Sequence, residues 1–277
     1  VLPLCVLVKF FSKSKLIYDA HELESNKNGT SKIGGRLTLF VERALWGKID
    51  AFITVSNSIL EWYNINLGFK RNSKVILNSP VLPGTRVFSG SNYLREYFAI
   101  PANEKIFIYV GILGEGRFIE DLVKIFQSES ISSHLIFVGY GKLESYLKEV
   151  SGQQRNIHLH EAVTHDRLVP IISSADVGLC LLPNVSLSDY YCLPNKFFEY
   201  VFSGIPVLSS NMPELSFLIN GRDLGITCDL NYESIIDSVV KLESGQVRVD
   251  FDFDDIEDLS WSAQTEKLLR LYSDIGK

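Results

Sequence analysis

A histidine and three carboxylates cluster at the end of the first apolar, β-rich run of the chain, residues 16–20. Asp19 lies in this run, and His21, Glu22 and Glu24 follow it. Because ligands of parallel sheets bind outside the carboxyl ends of the strands, these side chains are placed to meet a polar substrate. A histidine can donate or accept a hydrogen bond near neutral pH. The alternative is structural, with His21 capping the loop and Asp19 binding nearby backbone amides.

A glycine-rich turn begins at Gly111, after the apolar run at 106–110, and ends at Arg117, before a predicted helix. Its glycines permit close approach of a ligand to the backbone, and a helix N-terminus attracts phosphate. The spacing matches neither the dinucleotide fingerprint nor a P-loop. Arg117 supplies a cation where a diphosphate would need one, although a tight turn with a surface arginine gives the same pattern. Gly139 and Gly141 form a similar turn after the next run, and there the residues favour a structural role.

A further predicted helix start follows the apolar run at 176–182. Pro194 suits the first turn of a helix and leaves the nearby amides and the Lys196 ammonium free to bind an anion. Glu199 falls one turn further on, where a carboxylate can accept hydrogen bonds from both hydroxyls of a ribose. The alternatives are a solvated Lys196 and a Glu199 that pairs with a neighbour on the helix surface.

Neither a metal site nor a disulfide is predicted. The four cysteines (Cys5, Cys180, Cys192 and Cys228) form no C-x-x-C pair and no zinc-spaced cluster with histidine. In apolar surroundings a cysteine usually behaves as a small hydrophobic residue, so we expect a reducing compartment. Residues 250–255 (DFDFDD) contain the D-x-D spacing that can hold a divalent cation, but they lie in an acidic run that is typical of a solvated segment.

The elements that must position these residues form a regular alternation of apolar runs and amphipathic segments. The apolar, β-rich runs are 16–20, 51–55, 74–77, 106–110, 135–138, 157–159, 176–182, 206–208 and 225–227. The helical segments are 35–46, 57–67, 119–126, 143–150, 167–173, 195–203 and 234–242. Nearly continuous apolar strands joined by helices predict parallel sheets covered on both faces, and therefore a doubly wound α/β protein.

The alternation is interrupted at 78–86 (NSPVLPGTR), where two prolines and a glycine follow a predicted strand. We therefore expect one domain over 1–82 and a second over 83–258. The first has only three predicted strands and the chain begins with Val1 rather than methionine, so this domain is expected to be incomplete. The acidic run at 249–258 is interpreted as a solvated linker. A final amphipathic helix is predicted over 259–275, with Trp261, Leu268, Leu269 and Tyr272 as its apolar residues.

Composition and charge exclude several classes of protein. The 277 residues are 46% hydrophobic and 22% charged, which is typical of a globular chain and excludes disorder. The net charge of −6 argues against a general nucleic-acid binder. The apolar run 1–11 (VLPLCVLVKFF) is about half as long as a bilayer span of roughly 20 residues, so a buried helix or strand is favoured. A helix on an anionic membrane surface stays open, since residues 1–48 hold eight Lys/Arg against four Asp/Glu.

Taken together, the segments resemble the retaining glycosyltransferases of the GT-B fold, specifically the bacterial capsule, O-antigen and exopolysaccharide branch of family 4. The segments that carry the resemblance are 18–22 (YDAHE), 109–111 (YVG) with Arg117, 138–141 (VGYG), 174–178 (SADVG), 193–200 (LPNKFFEY), 204–207 (GIPV) and the tail 259–261 (LSW).

The resemblance implies two Rossmann-like domains with the active site between them, and a C-terminal helix, residues 259–277, that returns to the first domain. His21 would lie near the donor sugar, with Asp19 and Glu22 on the acceptor side. Arg117 and Lys196 would neutralise the leaving diphosphate. Pro194, Asn195 and the glycines Gly111, Gly139 and Gly141 would contact the donor, and Glu199 would bind its ribose.

The activity implied is transfer of a sugar, such as a hexose, from a nucleotide-diphosphate donor to a glycan or lipid-linked acceptor in polysaccharide biosynthesis. The resemblance implies retention of configuration, no metal or other cofactor, and a cytoplasmic location with peripheral contact to the inner face of the membrane. Two positions depart from the family pattern, namely Tyr191 in place of a second glutamate and Ile112 in place of an arginine. A nucleotide-binding subunit that needs a partner chain for the missing N-terminal part, and a sugar-nucleotide epimerase, are the alternatives.

Overall fold

The computed structural model describes residues 1–12, 14–82, 91–247, 249 and 251–276. Within these residues the strands are β1 (Ile17–Ala20), β2 (Ala51–Thr54), β3 (Ser73–Val75), β4 (Ile106–Val110), β5 (His134–Val138), β6 (Ile157–His160), β7 (Val177–Cys180), β8 (Val207–Ser210) and β9 (Gly225–Cys228). The α-helices are α1 (Leu2–Ser12), α2 (Lys32–Leu45), α3 (Asn57–Leu67), α4 (Tyr93–Phe98), α5 (Ile119–Phe126), α6 (Glu144–Gln153), α7 (His165–Ile172), α8 (Leu187–Tyr190), α9 (Asn195–Phe202), α10 (Pro213–Gly221), α11 (Tyr232–Glu243) and α12 (Trp261–Gly276).

All strands pair in parallel, in two separate sheets. The described strands order as β1-β2-β3 in the smaller sheet and as β6-β5-β4-β7-β8-β9 in the larger one. The predicted doubly wound α/β fold with parallel sheets is therefore confirmed. In the larger sheet the order reverses between β4 and β7, and such a reversal creates a crevice at the carboxyl ends of the two strands. The predicted interruption at 78–86 lies partly outside the described residues.

Hydrophobic core residues cover both faces of the larger sheet. Along β4 the side chains of Ile106, Ile108 and Val110 pack into one cluster, whereas Phe107 and Tyr109 pack into the other. All five are buried, as expected for a central strand covered by helices on both sides. This strand ends at Gly111, so its buried side chains fix the position of the turn that follows it.

The C-terminal helix α12 packs against the smaller sheet. Leu271 and Ile275 join a cluster with Ala51, Ile53 and Ile76. Gln264 is fully buried; its Oε1 accepts the Leu77 N–H at 3.2 Å, and its Nε2 donates to the Asp258 carbonyl at 2.7 Å. The apolar face predicted for this helix is wrong in part, because Trp261, Leu269 and Tyr272 are exposed. The contact side is set by where α12 crosses the sheet, which the helical period alone does not specify.

The acidic segment before α12 is not a solvated linker. Ile256 and Leu259 are buried in the core of the larger sheet, and Phe251 and Phe253 pack against it. Arg222 secures the segment by two hydrogen bonds to the Asp258 carboxylate, at 2.7 and 2.9 Å. The apolar residues that alternate with the acids therefore determine its path, and the described acids of this segment, residues 252–258, are exposed. The first aspartate of the D-x-D spacing, Asp250, lies outside the described residues.

The N-terminal segment forms a helix, but the expectation that it is buried is wrong. No residue of α1 is buried, and the exposed fractions of Phe10 and Phe11 are 81% and 78%. Lys9 attaches the helix to the chain through an ion pair with Asp50 at 2.5 Å. The neighbouring helix α2 exposes Ile33, Leu37 and Phe40, spaced three or four residues apart. None of the described helices is long and apolar enough to cross a bilayer.

Candidate functional site

The reversal of strand order brings the glycine-rich turn and the segment before α9 to one edge of the larger sheet. β4 leads into residues 111–118, and β7 leads into residues 181–194. These strands are direct neighbours, pairing Phe107 with Val177 and Ile108 with Gly178. Arg117, Lys196 and Glu199 consequently lie on loops and helix starts at the same carboxyl edge, where parallel α/β sheets bind ligands.

The glycine-rich turn is joined to the turn after β5 by backbone hydrogen bonds. The Gly111 N–H donates to the Val138 carbonyl at 3.1 Å, and the Leu113 N–H donates to the Tyr140 carbonyl at 2.8 Å. A Cβ on Gly139 would lie 1.9 Å from the Gly111 carbonyl oxygen. Likewise, a Cβ on Gly141 would lie 2.3 Å from the Leu113 carbonyl oxygen. Both glycines thus permit the two turns to touch, and the Gly111 amide is committed to the sheet rather than free for a phosphate.

Lys196 occupies an unusual position for a cation. Its Nζ is buried and has no hydrogen-bond partner, and it lies 4.1 Å from the centre of the Tyr109 ring. Burial lowers the pKa of Lys196, and the nearby Arg117 guanidinium lowers it further, whereas Cys180 and Glu199 act in the opposite direction. The ring face compensates only part of the lost hydration of the ammonium. The Nζ of Lys196 is therefore not solvated, and among the described residues it has no hydrogen-bond partner.

The other residues of this edge surround Lys196. Arg117 is exposed at the end of the glycine-rich turn, and Glu199 lies half-buried one turn into α9. Pro194 precedes α9 with extended backbone, at φ −76° and ψ 146°. Asn195, exposed at the helix start, accepts a long hydrogen bond of 3.5 Å from the Asn78 amide. This bond connects the start of α9 with the segment that follows β3.

The residues predicted for the acceptor side follow β1 of the smaller sheet. His21 Nε2 lies 3.5 Å from Asp19 Oδ1, and the two side chains are 59% and 49% exposed. Glu22 is exposed beside them. The Leu23 N–H donates to the Ser188 hydroxyl at 3.0 Å, so the turn after β1 touches the segment that leads to α9. The structure thus places the two predicted groups of site residues on adjoining segments.

Comparison with known proteins assigns the chain to a family. Residues 104–244, more than half of the chain, match the family described as Glycosyl transferases group 1. The chain belongs to this glycosyltransferase family. The matched region contains β4 to β9 and all the residues just described around Lys196. No curated protein matches the sequence.

Solved structures share the fold of this glycosyltransferase chain. Anabaena HepE in complex with UDP and glucose matches with a TM-score of 0.68 and 12% identity, over 99% of this chain and 75% of that one. Sucrose-phosphate synthase from Thermosynechococcus elongatus matches with a TM-score of 0.68 and 18% identity, over 98% of this chain and 71% of that one. The apo form of the lipopolysaccharide outer core galactosyltransferase WaaB matches with a TM-score of 0.68 and 14% identity, over 99% of this chain and 72% of that one. The fold is therefore of the GT-B type.

The two positions that depart from the family pattern have different environments in this glycosyltransferase. Ile112 is exposed in the glycine-rich turn. Tyr191 is partly buried and packs against the core of the smaller sheet, which contains Phe52 and Tyr63. A tyrosine at this position therefore contributes an apolar contact between the segment before α9 and the first part of the chain.

Sequence reasoning missed a buried carboxyl group in the first part of the chain. Glu42 Oε1 accepts hydrogen bonds from the hydroxyls of Tyr18 at 2.7 Å and Tyr63 at 2.8 Å, whereas its Oε2 is buried without a partner. Burial raises the pKa of Glu42. The signal in the sequence was a carboxylate on the apolar face of the amphipathic helix α2. It was overlooked because Glu42 lies far from any strand end.

Two further histidines lie at the opposite edge of the larger sheet, away from the site. The rings of His134 and His158 are stacked, with His134 Nδ1 2.8 Å from His158 Nε2. His134 Nε2 contacts Glu104 at 2.6 Å, and Phe98 packs on the His158 ring. Burial lowers the pKa of His158 to about 4, with His134 adding to the effect, and burial also lowers the pKa of His134.

This pair predicts a loss of stability in mild acid. Because the folded-state pKa of His158 is depressed from about 6.5 to about 4, its contribution is complete above pH 6.5 and is lost as the pH falls to about 4. Allowing for partial exposure of the ring, we expect a contribution of roughly 2 kcal/mol. The free energy of unfolding in urea, compared between pH 7.5 and pH 5, measures this contribution. His158→Gln should reduce the difference between the two pH values, and His21→Gln should not; equal differences in both variants would refute the assignment.

Proposed function

We propose that this chain is a retaining glycosyltransferase of family 4, which transfers a sugar from a nucleotide-diphosphate donor to a glycan or lipid-linked acceptor. The observation that carries the proposal is the buried, unpartnered Nζ of Lys196 beside Arg117. Among the described residues the Lys196 Nζ has no hydrogen-bond partner, and a diphosphate at this carboxyl edge would offer anionic oxygens to both cations. The HepE structure named above contains UDP, which makes uridine nucleotides the first to test.

In the reaction proposed, the acceptor hydroxyl oxygen attacks C1 of the donor sugar while the bond from C1 to the diphosphate oxygen breaks. Attack on the face that the diphosphate leaves retains the configuration. The proton of the acceptor hydroxyl passes to the departing diphosphate oxygen. Arg117 and Lys196 stabilise the charge that develops there, in a role that a metal ion fills in other enzymes, so we propose that no metal or other cofactor is needed.

The remaining residues bind and orient the two substrates in this proposal. Glu199 accepts hydrogen bonds from the ribose hydroxyls, and Asn195 contributes its backbone amide to the phosphates. His21, oriented by Asp19, faces the donor sugar, with Glu22 on the acceptor side. Residues 1–82 would form the acceptor domain, 83–258 the donor domain, and 259–277 a C-terminal helix that packs back toward the first domain. Four free thiols suit the reducing cytoplasm, where we place this reaction in polysaccharide biosynthesis.

Nucleotide binding tests this proposal. The chain is titrated calorimetrically with UDP, GDP, ADP, CMP and dTDP, first without metal and then with Mg²⁺. We expect one diphosphate to bind without metal. Glu199→Gln should weaken its binding roughly ten-fold, because the carboxylate charge and one of the two oxygens that accept from the ribose hydroxyls are lost. Removing the 2′-hydroxyl from the nucleotide should then cost affinity in the parent but not in the variant. Glu149→Gln, on the exposed face of α6, is the matched control. Unchanged affinity in Glu199→Gln would contradict the ribose assignment.

A partner-dependent nucleotide-binding subunit is a second candidate, and the exposed apolar surface favours it. On α1 the side chains of Phe10 and Phe11 are exposed, as is the Ile33–Leu37–Phe40 stripe of α2, and β1 is an edge strand of its sheet. A second polypeptide, or peripheral contact with a membrane, would cover this surface. Sugar transfer or donor hydrolysis by the chain alone would exclude the requirement for a partner. Nucleotide binding without any turnover, restored by a second polypeptide, would support it.

A further inference from the structure

A cavity of about 430 Å³ lies between the start of α2 and the segment before α8. One wall comes from residues 25–32 with Gly35, Arg36 and Leu39, and the other comes from residues 185–187. Lys27, Lys32 and Arg36 line it, and no carboxylate does. In a chain with a net charge of −6, a cavity with three cations and no acid is a local reversal of charge. Its volume is that of a typical small-molecule site.

The cations of this cavity are largely uncompensated. Lys27 forms an ion pair with Glu24 at 2.8 Å. Within the described residues, by contrast, neither Lys32 nor Arg36 takes part in an ion pair or a side-chain hydrogen bond. The start of α2 itself is already capped, since the Ser31 hydroxyl accepts the Gly34 N–H at 3.1 Å. The cationic side chains, rather than the amides of the helix start, therefore determine what this cavity attracts.

The cavity adjoins the candidate active site. Residues 185–187 belong to the segment that leads from β7 to α9, and Ser188 next to them binds the Leu23 N–H in the turn that contains His21. The wall is held in place by a close contact within the first part of the chain. A Cβ on Gly35 would lie 2.3 Å from the Ser25 carbonyl oxygen, so residue 35 must be small for the loop to rest on α2.

We propose that this cavity binds a phosphate or diphosphate group of the acceptor. The inference deepens the proposed function and rests on it, because the cavity lies on the acceptor side. A phosphate ester offers several acceptor oxygens and one or two negative charges, which match the Lys32 and Arg36 donors. The hydroxyls and amides of Ser25, Asn26, Asn28 and Thr30 supply further hydrogen bonds. A neutral glycan would leave both cations without a partner.

Two kinds of acceptor carry such a group, namely a phosphorylated sugar and a sugar linked to a lipid through diphosphate. The stripe of Ile33, Leu37 and Phe40 lies on the same helix as Lys32 and Arg36 and is exposed. A hydrocarbon tail attached to the diphosphate would bury part of this stripe. The two sources therefore differ in whether the stripe contributes to binding.

The test measures binding of inorganic pyrophosphate to the full chain by calorimetry, with the donor site saturated by the preferred nucleoside diphosphate. We expect Lys32→Gln/Arg36→Gln to weaken pyrophosphate binding roughly ten-fold or more, because two charge-assisted contacts are lost. Lys74→Gln/Lys124→Gln, which removes the same charge from exposed sites elsewhere, should leave it unchanged. Nucleotide affinity should be the same in all three proteins.

Geranyl diphosphate distinguishes the two sources. Tighter binding than inorganic pyrophosphate, lost in Ile33→Ser/Leu37→Ser, indicates a lipid-linked acceptor; equal binding indicates a phosphorylated sugar. Pyrophosphate binding that is absent, or unaffected by Lys32→Gln/Arg36→Gln, overturns the proposal. If no nucleotide binds, the proposed function fails by itself, and the same variants measured without nucleotide, with Arg117→Gln as the donor-site variant, still decide whether the cavity holds phosphate.

Discussion

Lys196→Met is expected to stabilise the empty protein while weakening its binding of the preferred nucleoside diphosphate about ten- to hundred-fold. In the empty protein the Lys196 ammonium is buried without a hydrogen-bond partner, so its removal relieves a desolvation cost. Methionine has a similar length and fits the space over the Tyr109 ring. We expect the free energy of unfolding to rise by roughly 1–3 kcal/mol. Affinity falls because the diphosphate loses a charge-assisted contact.

The opposite signs of the two effects separate a binding role from a structural one. Unfolding in urea gives the stability, and calorimetric titration gives the affinity for the nucleoside diphosphate. The corresponding nucleoside, which lacks phosphates, should bind the parent and Lys196→Met equally. Lys124→Met, on the exposed face of α5, is the matched control and should change neither quantity. A variant that is less stable than the parent yet binds the diphosphate normally would show that Lys196 serves the core and not the donor.

Gly178→Ala is expected to lower the free energy of unfolding by about 3 kcal/mol, which is the cost of severe overpacking in a core. A Cβ on Gly178 in β7 would lie 2.2 Å from the Tyr200 ring. The ring cannot move away, because it is fully buried and its hydroxyl accepts the Val110 N–H at 2.9 Å. Tyr200 thereby connects α9 to the end of β4. The same substitution should therefore weaken nucleotide binding as well, by shifting the start of α9.

Two variants make the cause of this destabilisation measurable. Gly152→Ala, in α6, meets no atom within 4 Å and should stabilise the protein slightly, by about 0.5 kcal/mol. In a Tyr200→Leu background the ring is absent, so Gly178→Ala should cost less than about 1 kcal/mol. Urea unfolding of the four proteins gives the coupling between the two positions. An equal cost of Gly178→Ala in both backgrounds would exclude the steric explanation.

The local elements of this protein were predictable from short stretches of sequence. The bounds of β4, α3 and α5 agree with the pattern to the residue, since the period of the apolar residues and the flanking polar residues are local signals. The fold class followed from the alternation of these elements. The burial of α1 and the solvation of the segment before α12 were predicted wrongly. In both cases the outcome depends on which other surface covers the apolar residues, and sequence period contains no information about that.

The sequence by itself determined which residue types follow each strand, and hence that a histidine, cations, glycines and a carboxylate stand at strand ends. Only the tertiary structure decided which of these residues are buried and what they contact. The sequence left open whether Lys196 is solvated, whereas in the structure its Nζ is buried over the Tyr109 ring. Gly139 and Gly141 were predicted to have a structural role, but only the structure shows that carbonyl oxygens of the neighbouring turn occupy the space of their side chains. The physical reason is that burial and hydrogen bonding depend on contacts between strands β4, β5 and β7, which are distant in sequence and become neighbours only in the sheet.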